Sequence, residues 1–258
     1  MKRKSQSIIS NRGLLPSMAA IAAILIVWQI LSGTGVIPKF MLPSPIDVVA
    51  AFVEDFGLLM GHARVTLTEA FLGLGLGILT GFSVAVLMEH FPMIYQAFYP
   101  LVVVTQTVPT VAIAPLLVLW LGYDIAPKIA LIVITTFFPI TVGLLDGFRS
   151  ADPDTIHLLR AMGATRFQIF CHIKLPSSMS HFFAGLRISA SYSIVGAVIA
   201  EWLGGFAGLG VYMTRVKKSY SFDKMFAVIF LISFISLILM YAVNLLQKKC
   251  MPWEKDRG

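Results

Sequence analysis

Charged residues make up only 13% of this sequence against 57% apolar ones, and that shortage excludes most soluble architectures. A globular domain of 258 residues needs a polar coat, and a mean hydropathy of +0.84 leaves too little to build one. Cysteine is nearly absent. Cys171 and Cys250 are the two present, and both fall on the same predicted side of the membrane, which argues against a disulfide framework or a four-ligand zinc site. The sequence also lacks a G-x-x-x-x-G-K-[ST] phosphate loop, an H-E-x-x-H pair and a G-x-S-x-G elbow, so the chain is not expected to hydrolyse ATP or to be an enzyme. Its five histidines are scattered, and no metal site is expected.

What the sequence has is long apolar runs. A helix needs about 20 mainly apolar residues to cross roughly 30 Å of hydrocarbon, and six stretches qualify: 14–31, 67–88, 97–121, 127–148, 182–202 and 225–246. The runs are continuous, whereas barrel strands alternate over about ten residues, so the spans are predicted to be helices. The first run follows a basic N-terminus as a secretory signal does, but its length and the absence of a clear A-x-A site favour a retained anchor.

Lysine and arginine set the expected orientation. With the N-terminus inside, thirteen of the twenty lie on the cytoplasmic side: Lys2, Arg3, Lys4, Arg12, Arg149, Arg160, Arg166, Lys174, Arg187, Lys248, Lys249, Lys255 and Arg257. Both termini and the 149–181 loop are therefore predicted to be cytoplasmic. The net charge of +7 is mostly topological, and nucleic acid is not an expected partner.

The 149–181 loop is the one long polar interruption. Asp152 is placed to cap a helix with Pro153 at its first position, Gly163 to end it in a left-handed turn, and Thr165 to cap a second helix. Ile156, Leu159 and Met162 repeat at helical spacing, and Phe167, Phe170 and Ile173 follow, giving two short amphipathic helices beside Arg160, Arg166 and Lys174.

Gly163, nine residues, Ile173, one residue, Leu175 and Pro176 resemble the cytoplasmic loop of binding-protein-dependent ABC transporter permeases, whose pattern is E-A-A, three residues, Gly, nine residues, I-x-L-P. Here His157, Leu158 and Leu159 replace Glu-Ala-Ala. The resemblance runs from about Phe40 to Leu246 and includes APLLVLWLGY at 114–123, FFPITVGLLDGFRSADP at 137–153 and GLRISASYSIVGAVIAEWLGGFAGLG at 185–210. It implies an all-α membrane protein with six transmembrane helices of the type I ABC importer permease kind and a coupling-helix loop seated on a cytoplasmic ATPase. On that resemblance, His157, Leu159, Arg160, Met162, Gly163, Ala164, Arg166 and Phe167 are the expected ATPase-coupling residues. ATP and magnesium are expected on the partner ATPase, with no cofactor on this chain. The other implied partners are an external solute-binding protein and a second permease copy, as a homodimer in a bacterial cell membrane.

Polar residues inside spans mark the candidate solute path. Pro109 and Pro115 break the third run, with Thr105, Gln106, Thr107 and Thr110 around the first break. The freed carbonyls there need protein or water partners, as beside a path or in a re-entrant turn. Ser189, Tyr192 and Ser193 place hydroxyls along the fifth span at i, i+3 and i+4. Glu201 and Glu69 are the membrane acids, either functional or paired near the outer boundary. Gly73, Gly77 and Gly81 form a small-residue stripe suited to close helix packing. Arg215, Lys217 and Lys218 run against the orientation trend, as a docking face for a binding protein or as a solvated turn.

The sequence resembles the sulfonate, taurine, nitrate and thiamine-precursor branch of these permeases. LLRAMGATRFQIF together with GLRISASYSIVGAVIAEWLGG is most similar to permeases for pyrimidine precursors of thiamine or related vitamin-like compounds. Sulfonate, taurine or nitrate is the alternative cargo. A secondary transporter without an ATPase is the rival class, for which inverted repeats are expected and none is evident.

Overall fold

The computed structural model describes residues 11–252 other than Val36 and Lys39, and every regular element among the described residues is helical. Lys2, Arg3, Lys4, Lys39, Lys255 and Arg257, used in the charge count, lie outside the described residues, as does the side chain of Arg12. Five helices are long and apolar enough to cross a membrane: α1 (Asn11–Gly33), α3 (Phe56–His90), α6 (Ile125–Arg149), α9 (Leu175–Gly204) and α11 (Phe222–Cys250). Two shorter helices, α4 (Pro92–Thr105) and α5 (Thr110–Leu121), are long and apolar enough only together, and they are bent 101° at their junction, the geometry of a broken span or of a re-entrant loop. The 97–121 run, expected as one span, is thus broken in two. Pro109 supplies the break, because it lacks the amide donor a continuous helix needs and biases Val108 away from helical dihedrals.

Short helices complete the chain: α2 (Pro45–Glu54), α7 (Pro153–Ala161), α8 (Arg166–Ile169) and α10 (Leu209–Lys218). Ser44 caps α2 in a reciprocal box with Asp47. Outside the spans, the Tyr212 hydroxyl of α10 donates to Asp55 Oδ2 at 2.6 Å, and Lys224 lies 3.0 Å from the same oxygen. The tyrosine bond, helped by that lysine against the opposing pull of burial, holds the Asp55 carboxyl below its ordinary range.

The core is the contact of α6 with α3 and α9, and glycine makes it possible. Gly73, Gly77 and Gly81 of α3 lie against Ile132, Thr136 and Ile140 of α6, so the stripe packs helices within the chain. On the other face of α6, a Cβ at Gly147 would sit 2.5 Å from the Cα of Ser178, and one at Gly185 of α9 would overlap the carbonyl of Pro139. Backbones this close bring Ser189 Oγ within 2.8 Å of the Thr136 carbonyl, to which it donates. Toward the C-terminal end of helix α1, Trp28 Nε1 donates to Pro43 O and Ser32 Oγ to Leu42 O.

Candidate functional site: a polar cavity at the broken span and an exposed loop

The 149–181 loop follows its capping residues closely. Asp152 accepts from the amides of Asp154 and Thr155, Pro153 opens α7, and the Thr155 hydroxyl on the Asp152 carboxylate lowers that group below its ordinary range. Gly163 follows α7 at φ +86°. Thr165 and Gln168 then form a reciprocal capping box.

The second helix does not stand alone, however. α8 passes through a π-helical turn, Phe170–Lys174, directly into α9, so one helical path runs from Arg166 to Gly204. Pro176 explains the wide turn: it cannot donate, and Leu175 N reaches back five residues to Phe170 O. The loop is therefore mechanically continuous with a membrane span.

Of the expected coupling residues, Met162 and Phe167 are both 74% exposed, and His157, Arg160, Gly163 and Arg166 are exposed as well. Leu159 and Ala164 are half-buried and help line a 350 Å³ surface cavity with Gly163. Leu158, 62% exposed, adds an apolar knob that the Ile156–Leu159–Met162 periodicity passed over. Its signal was its position four residues before Met162. Large apolar side chains this exposed on a polar loop, away from the spans, mark a contact surface.

A second feature sits where α4 bends into α5. A cavity of about 310 Å³ is bounded there by Thr105, Gln106, Thr110, Thr135 of α6, and Tyr192 and Gly196 of α9. Thr105 and Thr135 each donate their hydroxyl to a carbonyl of their own helix, at 2.6 and 2.9 Å, so their oxygens remain as acceptors. The expected path residues thus divide. Thr105, Gln106 and Tyr192 meet around the cavity, and Thr107, though exposed, does not line it. Ser189 and Ser193 are buried in helix packing, because at i−3 and i+1 from Tyr192 they face α6. Thr135 and Gly196 joined the cavity without having been singled out; the Thr135–Thr136 pair inside an apolar span was the available signal.

Glu201 belongs to neither. It is 1% exposed and organises the turn between α9 and α10: Thr66 Oγ1 donates to one carboxylate oxygen at 2.7 Å, and the Gly210 amide to the other at 2.6 Å. Leu209 N donates to Thr66 Oγ1, and Gly208 N to His62 Nδ1. Gly208, at φ +123°, has no room for a Cβ beside that carboxylate. Glu69 is buried too, and Lys128 Nζ donates to it at 2.5 Å. Lys128, one of the seven basic residues that the charge count leaves off the cytoplasmic side, is therefore the buried partner of Glu69. The segment that follows this turn is helical, and α10 exposes Arg215, Lys217 and Lys218.

The sequence and the fold were compared with known proteins. The family model described as "Binding-protein-dependent transport system inner membrane component" matches residues 73–251. The chain is 36% identical over 235 residues to the formylaminopyrimidine transport permease protein ThiX of Halalkalibacterium halodurans, covering 91% of this chain and 94% of that protein. It is 29% identical to the putative aliphatic sulfonates transport permease protein SsuC of Bacillus subtilis, covering 91% and 86%. Among solved structures, an inward-facing MetNI methionine ABC transporter chain superposes with a TM-score of 0.67 at 18% identity, over 75% of this chain and 96% of that one. A family match over more than half the chain, joined to five membrane-length helices, a bent helix pair and a capped polar loop, leads to one conclusion: the protein belongs to the binding-protein-dependent transport system inner membrane components, the permeases of ABC importers.

Proposed function

We propose that this chain is the solute-path subunit of an ATP-driven importer for a small organic compound, of the kind represented by the pyrimidine precursors of thiamine. The observation that carries the choice of solute is the cavity at the broken span. Its polar groups are the hydroxyls of Thr105, Thr110, Thr135 and Tyr192 and the amide of Gln106. Such groups hydrogen-bond a neutral heterocycle, whereas a sulfonate, taurine or nitrate calls for cations at the site. The similarity to a permease named for formylaminopyrimidine transport points the same way. Titrating the binding protein encoded beside this chain with a formylaminopyrimidine and with taurine tests the assignment. Saturable binding of the pyrimidine alone is expected, and binding of taurine alone contradicts it.

In this reading the exposed knobs of α7 and α8 seat on a cytoplasmic ATPase that carries ATP and magnesium. Both termini are cytoplasmic, and a second copy of the chain completes the path. The basic face of α10, with Phe206 and Tyr220 exposed near it, meets an acidic solute-binding protein outside. Burying a side chain the size of Leu159 or Phe167 contributes about 1.5–3 kcal/mol. A Leu159→Asp, Phe167→Asp double variant is accordingly expected to lose copurification with the ATPase while remaining folded in the membrane. Stoichiometric ATPase on the double variant, with normal transport, is the result that rules the docking surface out.

A further inference from the structure

A third cavity, of about 470 Å³, lies where the turn between α3 and α4 meets α8 and the π-helical turn, and three of its lining residues, Arg160, Arg166 and Phe167, are also among the expected ATPase-coupling residues. Its lining is mixed. Val86, Leu87 and Phe91 on the α3–α4 side are apolar, the last two exposed, and Phe167, Ile169 and Phe170 add apolar surface from α8 and the π-helical turn. Arg160, Arg166, His90 and Lys174 supply the basic groups. Lys174 is paired with Glu89, the one acid lining the cavity, so the two arginines are not neutralised within it. Among the described residues neither arginine has an ion-pair partner. Two guanidiniums beside an apolar slot at the end of two spans fit an amphiphile with an anionic head. An acidic protein side chain would match the cations but leave the slot among Val86, Leu87 and Phe91 unfilled.

We propose that this cavity holds the phosphate of an anionic phospholipid from the leaflet on the side of α7 and α8, with Arg160 and Arg166 as the phosphate ligands and an acyl chain along Leu87 and Phe91. A guanidinium fits a phosphate oxygen pair in bidentate fashion, and a basic residue at a membrane surface favours an anionic lipid about fivefold, so the two together give about 25-fold. The site depends neither on the transported solute nor on which side of the membrane is cytoplasmic. It does place a lipid against the π-helical turn that joins the loop to α9.

The test is lipid retention by the purified full-length chain, taken from nanodiscs of equal phosphatidylglycerol and phosphatidylcholine and counted by native mass spectrometry. Retention of phosphatidylglycerol over phosphatidylcholine by about 25-fold is expected, falling close to parity in Arg160→Gln, Arg166→Gln. Arg160→Lys, Arg166→Lys should keep most of the preference, and Lys217→Gln, Lys218→Gln on α10 should keep all of it. A glutamine variant that keeps the full preference of the unmodified chain for phosphatidylglycerol overturns the site. Displacement of the lipid by inorganic phosphate alone assigns the cavity to a free anion and overturns the lipid reading. Loss of the lipid whenever an ATPase subunit is bound overturns it too, by giving the arginines to that protein.

Discussion

Gly185→Val is expected to cost at least about 3 kcal/mol of stability, at or beyond the upper end for overpacked cores, and to leave little folded protein in the membrane. The cause is specific. The added Cβ meets the carbonyl of Pro139, a backbone atom that cannot rotate away, at the centre of the α6–α9 contact. Gly75→Ala is the matched control, since a Cβ at Gly75 meets nothing within 4 Å. The control is expected to be neutral or slightly stabilising, because alanine is the better helix former. Monodisperse yield and thermal midpoint in detergent measure both. A Gly185→Val protein as stable as Gly75→Ala would mean that α6 and α9 do not pack this closely.

Lys128→Met is expected to be nearly as damaging, at about 3–5 kcal/mol, because it strands the buried Glu69 carboxylate beside that of Glu201. The single change Glu69→Gln should also destabilise, by leaving a buried lysine without its counter-ion. The double variant Glu69→Gln, Lys128→Met should recover most of the loss, since replacing a buried pair as a whole is often close to neutral. A double-mutant cycle read by thermal unfolding settles the coupling. Simple additivity of the two single effects would show that the groups do not act as a pair.

These two sites show where the sequence spoke and where it was silent. The stripe of Gly73, Gly77 and Gly81 was legible because its four-residue period is visible along one helix, and it packs against α6 as small residues do. The caps Asp152, Gly163 and Thr165 were legible because capping is a local interaction between neighbours in the chain. The pairing of Glu69 with Lys128 spans 59 residues and that of Thr66 with Glu201 spans 135. No periodicity encodes such contacts, so a lysine at a span end entered the charge count as one of the seven off the cytoplasmic side. The division of the fifth span was equally hidden. Ser189, Tyr192 and Ser193 share a neighbourhood on the helix, but which of them meets a cavity depends on where α6 lies. The π-helical turn was missed for a different reason. The expected loop ended at residue 181 and the next span began at 182, whereas the five-residue reach of Leu175 N to Phe170 O ahead of Pro176 keeps one helix running through that boundary.

That continuity gives the proposed importer its coupling path. In that reading a displacement of α8 would be carried along the single helical path from Arg166 to Tyr192, which lines the cavity where α4 bends into α5. The most direct test is uptake of labelled formylaminopyrimidine into proteoliposomes containing this chain and its co-encoded ATPase. ATP and magnesium are placed on the ATPase side and the binding protein on the other. Accumulation that requires the ATPase, ATP and the binding protein together is expected. Accumulation driven by an ion gradient through this chain alone would contradict the account.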